Sequence, residues 1–184
     1  TPNSTMGTFK LGAVPISIED EITTVNIQNE GIVFTGINDQ FGSVSFSFAV
    51  GDGQVFSSEH YTVTINIISV NDAPIFNISV GELSVIEDDV LQEIPEFISD
   101  ISAVELGDHE KIISVNIVAN DRPDLFEIEP NLIWSSEDTS ATLNYQPTTD
   151  LPEIATATIT VEVKDAGGTE DGGINVTTSN FTIT

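Results

Sequence analysis

The sequence contains no cysteine, which closes two chemistries at once. Neither a disulfide scaffold nor a thiol nucleophile is available, and the cysteine pairs of a structural zinc site are missing too. Positive charge is almost as scarce. Four Lys plus Arg stand against 30 Asp plus Glu, a formal net charge of −26. A field of that sign repels phosphate backbones and anionic headgroups, so neither nucleic acid nor a membrane surface is expected as a partner. It also strains the compact state unless cations neutralise some carboxylates; a solvated acidic surface, as in marine or halophilic proteins, explains the charge equally well. No apolar run is long enough to insert in a bilayer, and no signal-peptide pattern is visible. Aromatic residues make up 7% of the chain, with a single tryptophan.

What is present is strand pattern. Hydrophobic residues reach 39%, and they alternate, unlike those of disordered chains. A length of 184 residues holds one large or two ordinary domains. The most informative stretch is residues 61–76, YTVTINIISVNDAPIF. Tyr61, Val63, Ile65 and Ile67 alternate with Thr62, Thr64 and Asn66, which puts one face in a core and one in water. The phase slips at Ile67-Ile68, so the strand is expected to bulge or leave its sheet there. Pro74 lacks a donor and fixes φ, and it holds Ala73 extended. This predicts the last strand of one domain, a short linker bearing Asp72, and the first strand of the next. The domains are read as 1–72 and 73–184.

Along the first domain, residues 32–35 and 43–50 read as strands, with Val44, Phe46, Phe48 and Val50 on one face. Turns are expected at 36–42, around Asn38 and Asp39, and at Gly51-Asp52-Gly53. In the second domain, residues 75–86 predict an opening strand or strand pair, followed by Glu87-Asp88-Asp89. Residues 91–110 read as a long loop with a helical turn. Further strands are expected at 113–117, around Phe126 and Ile128, at 132–134, at 141–145, at 155–163 and at 176–184. Trp134, in an apolar run, is expected in the core. Many short strands with turns between them argue an all-β fold, a β-sandwich with Greek-key connections, and two in a row argue an array.

Catalytic constellations are not found. His60 and His109 lie far apart, no G-x-S-x-G is present, and the glycines at 167–173 lack the lysine of a phosphate loop. Carboxylates abound, yet nothing suggests a cleft scaffold, so no enzyme is expected. The EF-hand spacing is also missing.

Val70-Asn71-Asp72-Ala73-Pro74 resembles the V-N-D-A-P segment that joins tandem cadherin-like repeats of large bacterial surface proteins. Asn3 to Leu11, Glu87-Asp88 and Lys164-Asp165-Ala166-Gly167-Gly168 resemble further parts of such repeats, in the right order. The resemblance implies two tandem cadherin-like sandwiches, the first expected to be truncated at its N-terminus because the opening strands of such a repeat are missing. It also implies calcium at the junctions. The family's topology would bring Asp39, Asn71, Asp72, Asp100, Asp165 and Asp171 to one junction. Asp52 would face a preceding domain, and Glu87 with Asp88 a following one. Relative to the animal motif, Ser69 replaces an Asp and one Asn is missing, so a poorer site is implied. The alternative for every one of these residues is an ordinary turn role, which Asp and Asn favour.

The resulting expectation is a calcium-binding spacer or adhesive unit of an extracellular, cell-surface adhesin. Its expected partners are neighbouring repeats, a surface protein or polysaccharide, or a second copy in a homodimer covering Phe46 and Phe48. The rival is a carbohydrate-binding module of a polysaccharide-degrading system, which predicts a row of exposed aromatics.

Overall fold

The computed structural model describes residues 3–86, 89–103, 111–149 and 155–184, with the side chains of residues 3 and 4 excepted. The chain divides into two compact units, Thr1–Ser69 and Val70–Thr184.

The first unit runs β1 (Asn3–Ser4), β2 (Gly7–Leu11), β3 (Val14–Pro15), α1 (Thr24–Glu30), β4 (Ile32–Gly36), β5 (Gly42–Phe48) and β6 (Tyr61–Ile67). Strand β2 pairs antiparallel with β1, β3 and β4. Strands β5 and β6 form a separate two-stranded antiparallel sheet, from Gly42↔Ile67 to Phe48↔Tyr61. Helix α1 had no signal strong enough to predict it. Thr23 Oγ1 caps it by accepting from the Asn26 N–H at 3.2 Å, and Gly31 ends it at φ 71°. Phe9 joins the two sheets: its ring lies 4.8 Å from Phe34 and 4.7 Å from Phe46. Gly7 permits this approach, because a Cβ there would fall 2.4 Å from the Phe34 ring and the Thr35 carbonyl.

The second unit runs β7 (Ile75–Ile78), β8 (Glu82–Leu83), β9 (Gln92–Ser102), β10 (Ile112–Asn120), β11 (Phe126–Ile133), β12 (Ala141–Pro147), β13 (Ala157–Asp165) and β14 (Val176–Ile183). They form two four-stranded sheets, ordered β10-β13-β14-β8 and β11-β12-β9-β7. Connections cross repeatedly between the sheets, as the expected all-β sandwich requires. The inward positions of β13 are the alternation read from the sequence: Ala157, Ile159, Val161 and Val163 are fully buried. Phe97 of one sheet meets Phe181 of the other edge-on at 4.7 Å. Trp134 packs against this core as expected, and its indole N–H donates to the Asp138 carbonyl at 3.0 Å.

Two expectations fail here. Residues 91–110 were read as a long loop, but β9 occupies eleven of them; residues 104–110 lie outside the described part. Strand β9 is bulged twice, with Glu96 at φ 52° and Asp100 at φ 53°. Each left-handed residue shifts the side-chain phase, so Phe97, Ile98 and Ile101 all reach the core at a spacing that imitates a helical turn. Phe126, Ile128 and Leu132 were read as two strands. They belong to one, β11, whose register against β12 slips twice.

Candidate functional site

The segment leading into β7 is held against the loop after β13. Asn71 Nδ2 donates to Asp165 Oδ1 at 3.1 Å and to the Ile174 carbonyl at 2.8 Å. The Ile174 N–H returns a bond to the Asn71 carbonyl at 2.9 Å. Two acceptors on one side of the amide fix which atom is nitrogen, so Oδ1 points the other way. Pro74, fully buried, follows, and its carbonyl accepts from the Thr177 hydroxyl. The close approach again needs a glycine. A Cβ on Gly173 would lie 2.8 Å from the Gly168 carbonyl and 3.2 Å from the Asn71 backbone.

Asp165, the last residue of β13, is 0% exposed. Its Oδ1 accepts from Asn71 Nδ2 and from the Gly167 N–H at 2.9 Å, an Asx turn that starts the glycine-rich loop. Its Oδ2 and the Asn71 Oδ1 are buried and receive no hydrogen bond among the described residues. A buried carboxylate oxygen without a donor is costly. A carboxyl oxygen and an amide oxygen are both of the type that a hard cation takes as ligands. Asn71 and Asp165 are the residues that would hold it.

The other expected ligands are placed as follows. Asp171 is in the same loop, at φ 54° and exposed. Asp72 is exposed. Asp100 sits in β9 near the same end of the sandwich, since Ile75 pairs with Ser102 and Asn77 with Ser99. Its Oδ2 accepts from Asn77 Nδ2 at 2.8 Å and from the Ser99 hydroxyl at 3.4 Å. Among the described residues no three Asp, Glu or His side chains gather closely enough to form a metal centre. The pair brought together is Asn71 and Asp165.

Two candidates belong to the first unit. Asp39 is an exposed turn residue at φ 58°. Asp52 makes the turn after β5, accepting from the N–H groups of Gln54 at 2.9 Å and Val55 at 3.0 Å. The Val55 and then the Gln54 amide hold its carboxyl below the ordinary value. That is a turn function and needs no metal. Glu87 and Asp88 lie outside the described residues. Sequence reasoning missed Gly173, Ile174 and Thr177, because their roles arise from contacts about a hundred residues away in sequence.

No protein-family model matches the chain, and no curated protein matches it. Among solved structures, the extracellular cadherin domains 3–6 of protocadherin gamma B2 are similar, at 16% identity and a TM-score of 0.41. The match covers 98% of this chain and 38% of that one, so this chain spans well under half its length. A score of that size is below what a shared fold requires, and the sandwich rests on the strand pairing described above.

Proposed function

We propose that the chain is a non-catalytic, calcium-binding repeat module of a large extracellular adhesin. Calcium bound at Asn71 and Asp165 would fasten the segment entering the second unit to the sandwich behind it. The observation that carries this reading is the fully buried Asp165, whose Oδ2, like the Oδ1 of its partner Asn71, has no donor among the described residues. The resemblance of Val70 to Pro74 to a repeat junction supports it. So does the charge of −26, which bound cations would partly neutralise.

Titration calorimetry with calcium, and melting in calcium against chelator, test the proposal. A ligand that binds only the folded form adds about 2.7 kcal/mol at a hundredfold excess over Kd. Calcium is therefore expected to raise the melting temperature of the second unit. Superimposed melting curves and no heat of binding would sink the reading.

The rival carbohydrate-binding reading draws on one observation. Phe46, Phe48 and Tyr61 stand in a row, with ring centroids 6.4 and 5.8 Å apart. Their planes are tilted by 37° and 32° rather than coplanar. The strand hydroxyls that could grip a sugar, Ser43, Ser45, Ser47, Thr62 and Thr64, point to the opposite face by strand alternation. The row is a poor sugar platform.

A further inference from the structure

Aspartate is followed by glycine at two places in the chain, Asp52-Gly53 and Asp171-Gly172. Both glycines hold positive φ, 89° and 95°, and a Cβ on either would meet nothing within 4 Å. With no side chain, such a glycine leaves its nitrogen open to the carboxyl carbon of the aspartate before it. The nitrogen can bond to the aspartate Cγ while its proton leaves with the carboxyl OH as water. The product is a cyclic imide, a succinimide. Water then opens the ring. Opening at the side-chain carbonyl restores aspartate, and opening at the main-chain carbonyl leaves isoaspartate, whose main chain runs through Cβ and Cγ. One water is lost and one regained, so no oxidant or reductant is needed.

The glycines are alike, and the carboxyls are not. Asp52 Oδ1 accepts from the Gln54 and Val55 N–H groups at 2.9 and 3.0 Å. Those donors favour the anion, which is a poor electrophile. Asp52 must lose both bonds and take up a proton before one of its oxygens can leave as water. Asp171 is exposed, and among the described residues its carboxyl makes no hydrogen bond or ion pair. Its backbone is also strained: φ is 54° and ψ 18°, a left-handed conformation that side chains disfavour. Nothing in the fold therefore holds the Asp171 carboxyl in its unreactive form.

We propose that Asp171-Gly172 is a site of spontaneous covalent modification, where Asp171 converts to isoaspartate in the folded protein while Asp52 is protected. The position of the site gives the conversion a consequence. The Gly173 N–H donates to the Glu170 carbonyl, and the Ile174 N–H donates to the Asn71 carbonyl, both at 2.9 Å. A Cβ on Gly173 would lie 3.2 Å from the Asn71 backbone, so the main chain here has little room to shift. Isoaspartate lengthens the main chain between Glu170 and Gly173. It breaks the turn that the Glu170 carbonyl closes, moves Gly173, and loosens the bond from Ile174 to Asn71. The modification thus acts on the segment entering the second unit, and it needs no bound cation.

The test ages the intact chain for weeks in chelator, folded and in denaturant, and counts isoaspartate at both pairs by peptide mapping with electron-transfer fragmentation. In denaturant both pairs are expected to convert at similar rates. In the folded chain, conversion at Asp171 should stay close to its unfolded rate, while conversion at Asp52 should fall by about tenfold or more, because its two amide donors persist. No isoaspartate at Asp171 in the folded chain, or equal conversion of the two pairs there, would overturn the proposal. Asp171→Glu, whose extra methylene disfavours the ring, is aged alongside. Amide exchange at Ile174 should quicken with the isoaspartate fraction in the unmodified chain and stay constant in Asp171→Glu. Exchange that quickens in both, or in neither, would overturn the link to Asn71.

Discussion

Asp165 separates a turn residue from a metal ligand, because one substitution tells them apart. Asp165→Asn retains an oxygen for Asn71 Nδ2 and the Gly167 N–H but removes the charge. In chelator its melting should stay within about 1 kcal/mol of the unmodified chain, while the calcium increment disappears. Asp165→Ala leaves the Gly167 amide without its acceptor and should cost about 1–3 kcal/mol even in chelator. If Asp165→Asn keeps the full calcium increment, Asp165 is no ligand. Tyr145 gives a pH-dependent check. Burial, and then the charge of Asp89, push its phenol above the ordinary value of 10.0. A raised folded value means stability is whole below the unfolded value and lost as pH climbs through the folded one. In a Tyr61→Phe background, absorbance should report phenolate formation only above pH 10, coupled to unfolding. Reversible ionisation near pH 10 in a folded protein would contradict that coupling.

At the scale of the element, β9 concentrates the strain. Glu96 and Asp100 both hold positive φ, where a side chain is disfavoured and glycine is not. Glu96→Gly should therefore be neutral or stabilising by up to about 1 kcal/mol. Asp100→Gly gains the same relief but loses the bond from Asn77, so it should come out less stable than Glu96→Gly. Denaturant melts of the two variants check the order; the reverse order would mean the bulges are set by something other than these conformations. Between the bulges, Phe97 is fully buried against Phe181. Phe97→Ala should cost about 3–5 kcal/mol, read as a lower denaturation midpoint of the second unit.

For the whole molecule, burial and charge set the expectation. Among the described residues, the buried hydrophobic residues of the first unit are Phe9 and Val44, whereas a continuous core runs through the second. Calorimetry should show two transitions, with amide exchange assigning the lower to residues 3–69; a single coincident transition would show that the units unfold together. Self-repulsion among the carboxylates adds a salt dependence. The screening length falls from about 10 Å at 0.1 M to about 3 Å at 1 M. Sodium chloride in chelator should therefore raise both melting temperatures, and a flat response would mean the surface charges lie too far apart to matter.

The all-β class, most strand positions and the inward alternation of β5, β6 and β13 were legible in the sequence, because period two is a local property of the chain. The end of β6 was legible too, since the phase slip at Ile67-Ile68 falls where the strand stops. Strand β9 was not, because two left-handed residues break its period and no neighbour in sequence announces them. Asn71 and Asp165 could be named as oxygen-bearing residues on a linker and a loop. The resemblance implied that they would meet; the residues themselves did not, and the contact is made by the Gly173 approach, which joins segments about a hundred residues apart. Whether an Asp is exposed in a turn, like Asp39, or buried with one oxygen orphaned, like Asp165, depends on what packs over it. Solvation is set by the surrounding atoms in space, and sequence order does not carry that information.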